Sequence, residues 1–362
     1  MPKTTISVFR AGVGSFPGLS RTHPKLIEKA QKLLKEEKGR LLIDSFVTHC
    51  GDDLELIMTH SHGMENKKIH RFAGDLFAAC AKIAREMRLY GAVRASMASG
   101  SADRGPCVAE MEFEERESDP VLIFMADKTG PGAWNIILYK IFADPFNTTG
   151  LVSDPSLHPG FDFEVQDKAA KSRITFRCPE ESYRLLAQIG EPSRFGIRRV
   201  FCKDGEVAAV TSSRYLDIET GGNDDGDDDP VMIVRAQNGF PSVGEALEPF
   251  CTPVLAGGGE RGFPYGPLMP VGLCDASSTR SDGPARAICF GFQVTGGELI
   301  GPADMFDDPA FDRARSRCNE LADAIRLQGP FGPRSQPLEV RGDATRPTGK
   351  EGPAPGRKKF PE

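Results

Sequence analysis

The chain has 362 residues, 39% of them hydrophobic and 27% charged, a composition that excludes a disordered chain or a fibre. Lys and Arg number 45 against 51 Asp and Glu, a net charge of −6, so no basic excess exists to attract nucleic-acid phosphates or an anionic membrane. No apolar run is long enough to span a bilayer, and residues 1–14 lack a positive region followed by an apolar stretch and a cleavage site, so a cytoplasmic protein is expected.

Residues Ile6 to Arg10 read as a β-branched, aromatic strand running into the glycine-bearing turn at residues 11–14. Pro24 suits the first position of a helix whose inner face carries Leu26, Ile27, Ala30, Leu33 and Leu34. Two extended runs, 41–50 and 54–60, flank Gly51-Asp52-Asp53 and predict a hairpin with acids at its tip. A second amphipathic helix follows over 67–88, with Ile69, Phe72, Leu76, Phe77, Cys80, Ile83 and Met87 in one stripe. Strands are expected at 108–114 and 121–126, the latter apolar throughout as for a strand covered on both faces, delivering Asp127 and Lys128 to its end. Further on, 179–189 is helical, 198–202, 207–211 and 231–235 are extended, and a last helix over 308–327 turns Phe311, Ala314, Cys318, Leu321 and Ile325 inward. Helices interspersed with paired strands predict an α+β domain, sheet layered on sheet with helices outside. From about Gly329 the chain turns to Pro, Gly and charge, so 333–362 reads as a disordered tail.

The nine cysteines are scattered, which excludes CxxC zinc pairs and redox dithiols and argues against a disulfide framework. Residues 12–18 suggest a dinucleotide loop, yet the third glycine comes one place late and Pro17 intrudes, so a plain turn is preferred. His49, His60 and His62 are read as structural or surface groups, and Glu112, Glu114 and Glu115 as a solvated strand face. What remains is three acidic clusters at strand ends: Asp52-Asp53, Asp127 beside Lys128, and Asp227-Asp228-Asp229 before Pro230. Any one of them alone is an ordinary solvated turn. Together they suit a hard, oxygen-ligated cation such as Mg²⁺ that leaves positions open for a phosphate, with Lys128 as a point charge.

Several longer strings carry a resemblance: Thr48-His-Cys-Gly-Asp-Asp-Leu-Glu-Leu-Ile-Met-Thr-His60, Phe124-Met-Ala-Asp-Lys-Thr129, Phe142-Ala-Asp-Pro-Phe-Asn147, Asp228-Asp-Pro-Val-Met-Ile-Val-Arg235 and Tyr265-Gly-Pro-Leu-Met-Pro270. From about Thr4 to Gly332 the chain resembles the bifunctional fructose-1,6-bisphosphate aldolase/phosphatase family. The resemblance implies a single-domain, four-layer α-β-β-α sandwich over residues 1–332, a homo-octamer, and Mg²⁺ bridging acidic side chains to a phosphorylated small molecule. By that resemblance Asp52, Asp53, Asp127, Asp228 and Asp229 stand at magnesium-ligand positions. Tyr90, Lys128, Gln237, Arg261 and Asp282 stand at substrate-contacting positions, and Arg94 replaces a ligand Gln and offers a cation for phosphate. Gly12 stands where the family has the proton-accepting, metal-binding Asp of the phosphatase step, and Leu19 where it has a ligand His. Asp227 replaces the Schiff-base Lys and Asp224 the proton-moving Tyr, so no iminium can form and class I aldolase activity is expected to be lost. Three functions are open on this reading: a Mg²⁺-dependent sugar-phosphate phosphatase, which the retained phosphate-handling residues favour, a repurposed lyase, isomerase or cyclase, or a non-catalytic sugar-phosphate binder.

Overall fold

The computed structural model describes residues 3–91, 107–127, 129–130, 132–212, 231–257, 265–277, 279–280 and 283–327. Arg94, Lys128, Asp224, Asp227, Asp228, Asp229, Arg261, Asp282 and the tail 333–362 lie outside them.

The smaller of two sheets is antiparallel, in the order β2-β3-β1-β4, from β1 (Lys3–Ala11), β2 (Asp44–Cys50), β3 (Asp53–His60) and β4 (Cys107–Glu114). Period-two alternation sorts its side chains. Phe9, Leu54, Leu56 and Met58 face outward, under Leu26, Ala30 and Leu34 of α1 (Pro24–Glu37) and Ile69, Ala73, Leu76 and Phe77 of α2 (Lys67–Glu86). Ile6, Val8, Ile57, Met111 and Phe113 face inward, against the second sheet. Pro24 opens α1 as expected, with the His23 side chain accepting from the Lys25 amide, which satisfies one orphan donor of the first turn.

The larger sheet is built from β6 (Phe161–Asp167), β7 (Ser172–Cys178), β8 (Phe195–Cys202), β9 (Val207–Ser212), β11 (Val254–Gly257), β13 (Ala285–Thr295) and three strands placed below, β5, β10 and β12, in the order β11-β12-β13-β5-β10-β9-β8-β6-β7, with β14 (Glu298–Asp304) paired to β13. At its centre β5 (Asp119–Ala126) lies between β13 and β10 (Val231–Arg235), both antiparallel to it. The uniformly apolar stretch of β5 is covered on both faces, as predicted. Val121, Ile123 and Met125 enter the inter-sheet core, while Leu122, Phe124 and Ala126 pack outward. Over that outer face lie α3 (Asn135–Ala143), a short helix α4 (Gly150–Ser153), α5 (Ser182–Ile189) and α6 (Val243–Leu247). Trp134, Leu138, Phe142, Leu185 and Phe250 fill the space between. The molecule is therefore an α+β sandwich of four layers, helix on sheet on sheet on helix. The final helix, α7 (Asp312–Leu327), follows a short 3₁₀ turn and packs by β12 (Tyr265–Pro270), burying Ala314, Cys318 and Ala322. Leu321 and Ile325, expected inside, are half-buried.

The β13–β14 hairpin clasps the two sheets together. Its Gly296 and Gly297 amides donate to the Glu115 carboxylate at 2.6 and 2.7 Å, and the Leu299 amide to Asp44 Oδ2 at 3.1 Å. Beneath it Phe46 of β2 meets Phe290 and Phe292 of β13 edge-on. Of the nine cysteines, none of them in a disulfide, six are buried. No helix among the described residues is long and apolar enough to cross a membrane.

Candidate functional site

The site grows from the β2–β3 hairpin. Cys50 pairs with Asp53, leaving Gly51-Asp52 as a two-residue loop, and Gly51 takes a left-handed φ of 59° that a side chain would resist. The tip of this hairpin is seated on the other sheet. Gly51 N–H donates to Ala276 O at 3.0 Å, and a Cβ placed on Gly51 would stand 2.8 Å from the Asp127 Cβ. Asp127 follows directly on β5, is 3% exposed, and its Oδ1 accepts the Arg286 amide at 2.7 Å while its own amide donates to Arg286 O at 2.9 Å. Two of the three acidic clusters, from strands far apart in sequence, thus meet where the sheets join.

Strand register brings in the rest. In the β1–β3 ladder Arg10 faces Glu55 and Ala11 faces Leu54, so Gly12 arrives beside Asp53, where a Cβ would lie 2.8 Å from Asp53 Oδ1. Arg10 pairs with the Asp53 carboxylate and places its Nε 3.2 Å from Glu55 Oε1. Glu55 is fully buried, and burial pushes its carboxyl up to about 8 despite the opposing pull of Arg10. Tyr90 is exposed and bridges Ser15 through paired backbone bonds of 2.9 and 3.0 Å, which sets it on the loop that follows Gly12. Arg21 of that loop donates to Ser277 Oγ at 3.1 Å, next to the Ala276 that holds the hairpin tip. Nearby, burial and then the Arg21 charge push the His49 imidazole below its usual value.

Arg10, Arg21, Glu55 and Arg286 are absent from the residues that the sequence singled out. Only the β1–β3 register and the β5–β13 pairing show that these groups fringe the acids. Gln237, by contrast, does not join them. It follows β10 at the end where Arg235 pairs with Val121, whereas Asp127 follows the opposite end, where Val231 pairs with Met125. At about 3.3 Å per residue the two are separated by roughly 25 Å within one chain. The chain enters β10 from 228–230 on the Asp127 side, but Asp228 and Asp229 are not among the described residues, nor are Arg94, Lys128, Arg261 and Asp282.

Carboxylates offered by Asp52, Asp53 and Asp127 are hard oxygen donors of the kind Mg²⁺ takes. Among the described residues, however, no three His, Cys, Asp or Glu side chains close on a common point. The described acids therefore fit one side of an ion site and do not complete one.

The histidines expected to be structural are accounted for in part. His60 is fully buried, with Nε2 2.9 Å from Ser7 Oγ, which in turn donates to Glu110 Oε1 at 2.6 Å. The His62 amide donates to His60 Nδ1 at 3.3 Å, so the proton rests on Nε2, and burial pushes the ring down to about 4. His62 is exposed and stacks against it.

Fold and geometry define an α+β sandwich with acids and arginines gathered where its two sheets meet. A family model described as fructose-1,6-bisphosphatase matches residues 3–347, and the chain belongs to that family. It is 52% identical over 342 residues to the fructose-1,6-bisphosphate aldolase/phosphatase of Moorella thermoacetica, covering 93% of this chain and 89% of the relative. The proteins of the same name from Ignicoccus hospitalis and Methanothermobacter marburgensis are 52% and 48% identical, covering 93% of this chain and 89% and 94% of theirs.

Proposed function

We propose that the chain is a Mg²⁺-dependent enzyme of phosphorylated sugars, with hydrolysis of a phosphate ester as its reaction and no aldolase activity. The observation that carries this reading is the seating of the Gly51-Asp52 loop on Asp127, in a chain about half identical to proteins named for the hydrolysis and cleavage of a sugar bisphosphate. Asp52, Asp53 and Asp127, joined by Asp228 and Asp229, would hold the ion. When bound, Mg²⁺ supplies charge for a phosphoryl oxygen and lowers the pKa of a coordinated water. Arg10 fixes Asp53, and the Arg286 amide fixes Asp127, so the acids are held without rearrangement. By the resemblance, Asp227 removes the amine that an aldolase needs. Purified protein with Mg²⁺ is expected to release phosphate from fructose 1,6-bisphosphate or another member of a sugar-phosphate panel. Borohydride trapping with dihydroxyacetone phosphate should label no lysine. Absence of phosphate release across the panel would defeat the reading.

One observation favours a second reading, a repurposed lyase, isomerase or cyclase, or a binder without turnover. Residue 12 points at Asp53 and, being glycine, carries no base there. Tight phosphosugar binding without phosphate release would support it. The family resemblance also implies assembly into a homo-octamer. Light scattering of the purified chain tests that assembly.

A further inference from the structure

Three successive residues of the segment after β12 hold three different parts of the acidic end of the molecule. Ala276 O takes the Gly51 amide of the hairpin tip at 3.0 Å. On one side of it Asp275 O accepts Arg286 Nη1 at 3.3 Å, and on the other Ser277 Oγ accepts Arg21 Nε at 3.1 Å. Trans peptides set successive Cα atoms about 3.8 Å apart, so residues 275 and 277 stand within about 8 Å of each other. Both guanidiniums are therefore tethered beside the loop that carries Asp52.

Neither arginine is neutralised by the acids. Arg10 shows the contrast, being paired with both Asp53 and Glu55. Among the described residues Arg21 makes no ion pair, and its Nη1 and Nη2 have no partner, because Ser277 takes Nε alone. Its charge still reaches the hairpin, where it helps to push the His49 imidazole down. Arg286 likewise makes no ion pair among the described residues, and its Nε is a buried donor without a hydrogen-bond partner there. A buried donor left orphaned is costly unless something accepts from it. Both side chains also rise from fixed backbone. Loop 15–22 is closed by Ser15 Oγ to Gly18 O at 2.7 Å, Phe16 N–H to Arg21 O at 3.1 Å and Ser20 Oγ to Phe16 O at 3.0 Å. The Arg286 amide is held by Asp127 Oδ1 at 2.7 Å.

We propose that Arg21 and Arg286 form a two-guanidinium clamp for a phosphate dianion at the rim of the Asp52 loop, with Arg21 as a specificity-determining residue. A guanidinium offers a planar fork that matches two phosphate oxygens, and Nη1 and Nη2 of Arg21 with Nε of Arg286 are donors still to be filled. The carboxylates alongside repel an anion, so cations not spent on those carboxylates are what lets one approach. Fixed backbone beneath both side chains spares part of the ordering cost on binding. The same phosphate chemistry has two sources, the phosphate of a phosphorylated sugar and the inorganic phosphate that hydrolysis releases. That either is met in catalysis rests on the function proposed above, whereas the clamp itself does not.

The test uses the full-length protein and its Arg21→Met, Arg21→Lys, Arg286→Met and Arg286→Lys variants. Binding of inorganic phosphate and of fructose 1,6-bisphosphate, each with Mg²⁺, is followed by calorimetry. Arg21→Met and Arg286→Met should each weaken phosphate binding about tenfold, the scale of a lost charged hydrogen bond. The lysine variants keep the charge and the apolar stem, which guards against a folding failure, but they lack the fork and should still lose affinity severalfold. Bisphosphate binding weakened in parallel identifies the substrate's phosphate as the occupant. Bisphosphate binding left unchanged while inorganic phosphate binding falls identifies the released product, and either result supports the clamp. Wild-type protein that binds no inorganic phosphate, or unchanged phosphate affinity in either methionine variant, overturns it. Full affinity in the lysine variants also overturns it, because net charge alone would then suffice. Since this binding needs no turnover, a protein that takes phosphate yet releases none from any sugar phosphate defeats the proposed function and leaves the clamp standing.

Discussion

Gly12 and Gly51 each leave room for an acid that comes from elsewhere in the chain. At Gly51 two demands coincide, a left-handed φ of 59° and a Cβ that would press on Asp127. Gly51→Ala is accordingly expected to cost about 2–3 kcal/mol, read as a fall in the urea midpoint. Gly12 lacks the backbone demand, so Gly12→Asp is limited by charge and by the 2.8 Å approach of its Cβ to Asp53 Oδ1. A second carboxylate beside Asp53 should destabilise the metal-free protein by about 1–2 kcal/mol. Under the magnesium reading that loss should shrink on adding Mg²⁺, and thermal melts with and without the ion measure it. His60 supplies a pH dependence of determinate sign. Unfolded, its imidazole takes a proton near 6.5, but folded only near 4, so the unfolded state binds more protons between those values. Stability should therefore rise by roughly 2 kcal/mol as the pH goes from 4 to 6.5 and level off above. His60→Gln should flatten that slope in denaturation series at stepped pH.

At the scale of elements, the Asp119–Arg235 pair ties β5 to β10 at the end away from the acids. Arg235 is 1% exposed, and its loss leaves Asp119 with Arg116 alone. Arg235→Met should cost about 2 kcal/mol, since Asp119 loses its two buried charged hydrogen bonds to Arg235 and keeps only those to Arg116, and the urea midpoint should report it. The sequence showed some elements and hid others for physical reasons. Hairpin β2–β3, the stripes of α1 and α2 and the apolar run of β5 were legible because local pattern and burial agree there. Helix α3 was not. Asn135, Ile137, Leu138, Ile141 and Phe142 are buried round much of its circumference, which erases the one-sided period that marks a helix. Strand β12 carries Gly and Pro, which read as turn residues, and its parallel pairing with β13 leaves no hairpin signal. The acids of the site were visible as strand-end clusters. Arg10, Arg21 and Arg286 were not, because their place beside those acids is made by register between strands distant in sequence.

For the molecule as a whole, three apolar clusters alternate with two sheets, so no layer keeps its core once its neighbour leaves. Trp134, the sole tryptophan, sits in the outer helical layer over the large sheet. Its fluorescence and far-UV circular dichroism are expected to change at the same urea concentration, as in a single cooperative transition. Glu115 is the acceptor that joins the small sheet to the β13–β14 turn, and Glu115→Ala should lower stability by about 2 kcal/mol by orphaning the Gly296 and Gly297 amides.

The same turn limits how the polypeptide can be rewired. Gly296 and Gly297, with φ of 59° and 79°, look like a convenient place to open the chain in a circular permutant. New ends there would release both strands from Glu115, and the sheets could then melt in separate steps. Opening at the Asp204-Gly205 turn between β8 and β9, exposed and far from that clasp, should preserve one transition.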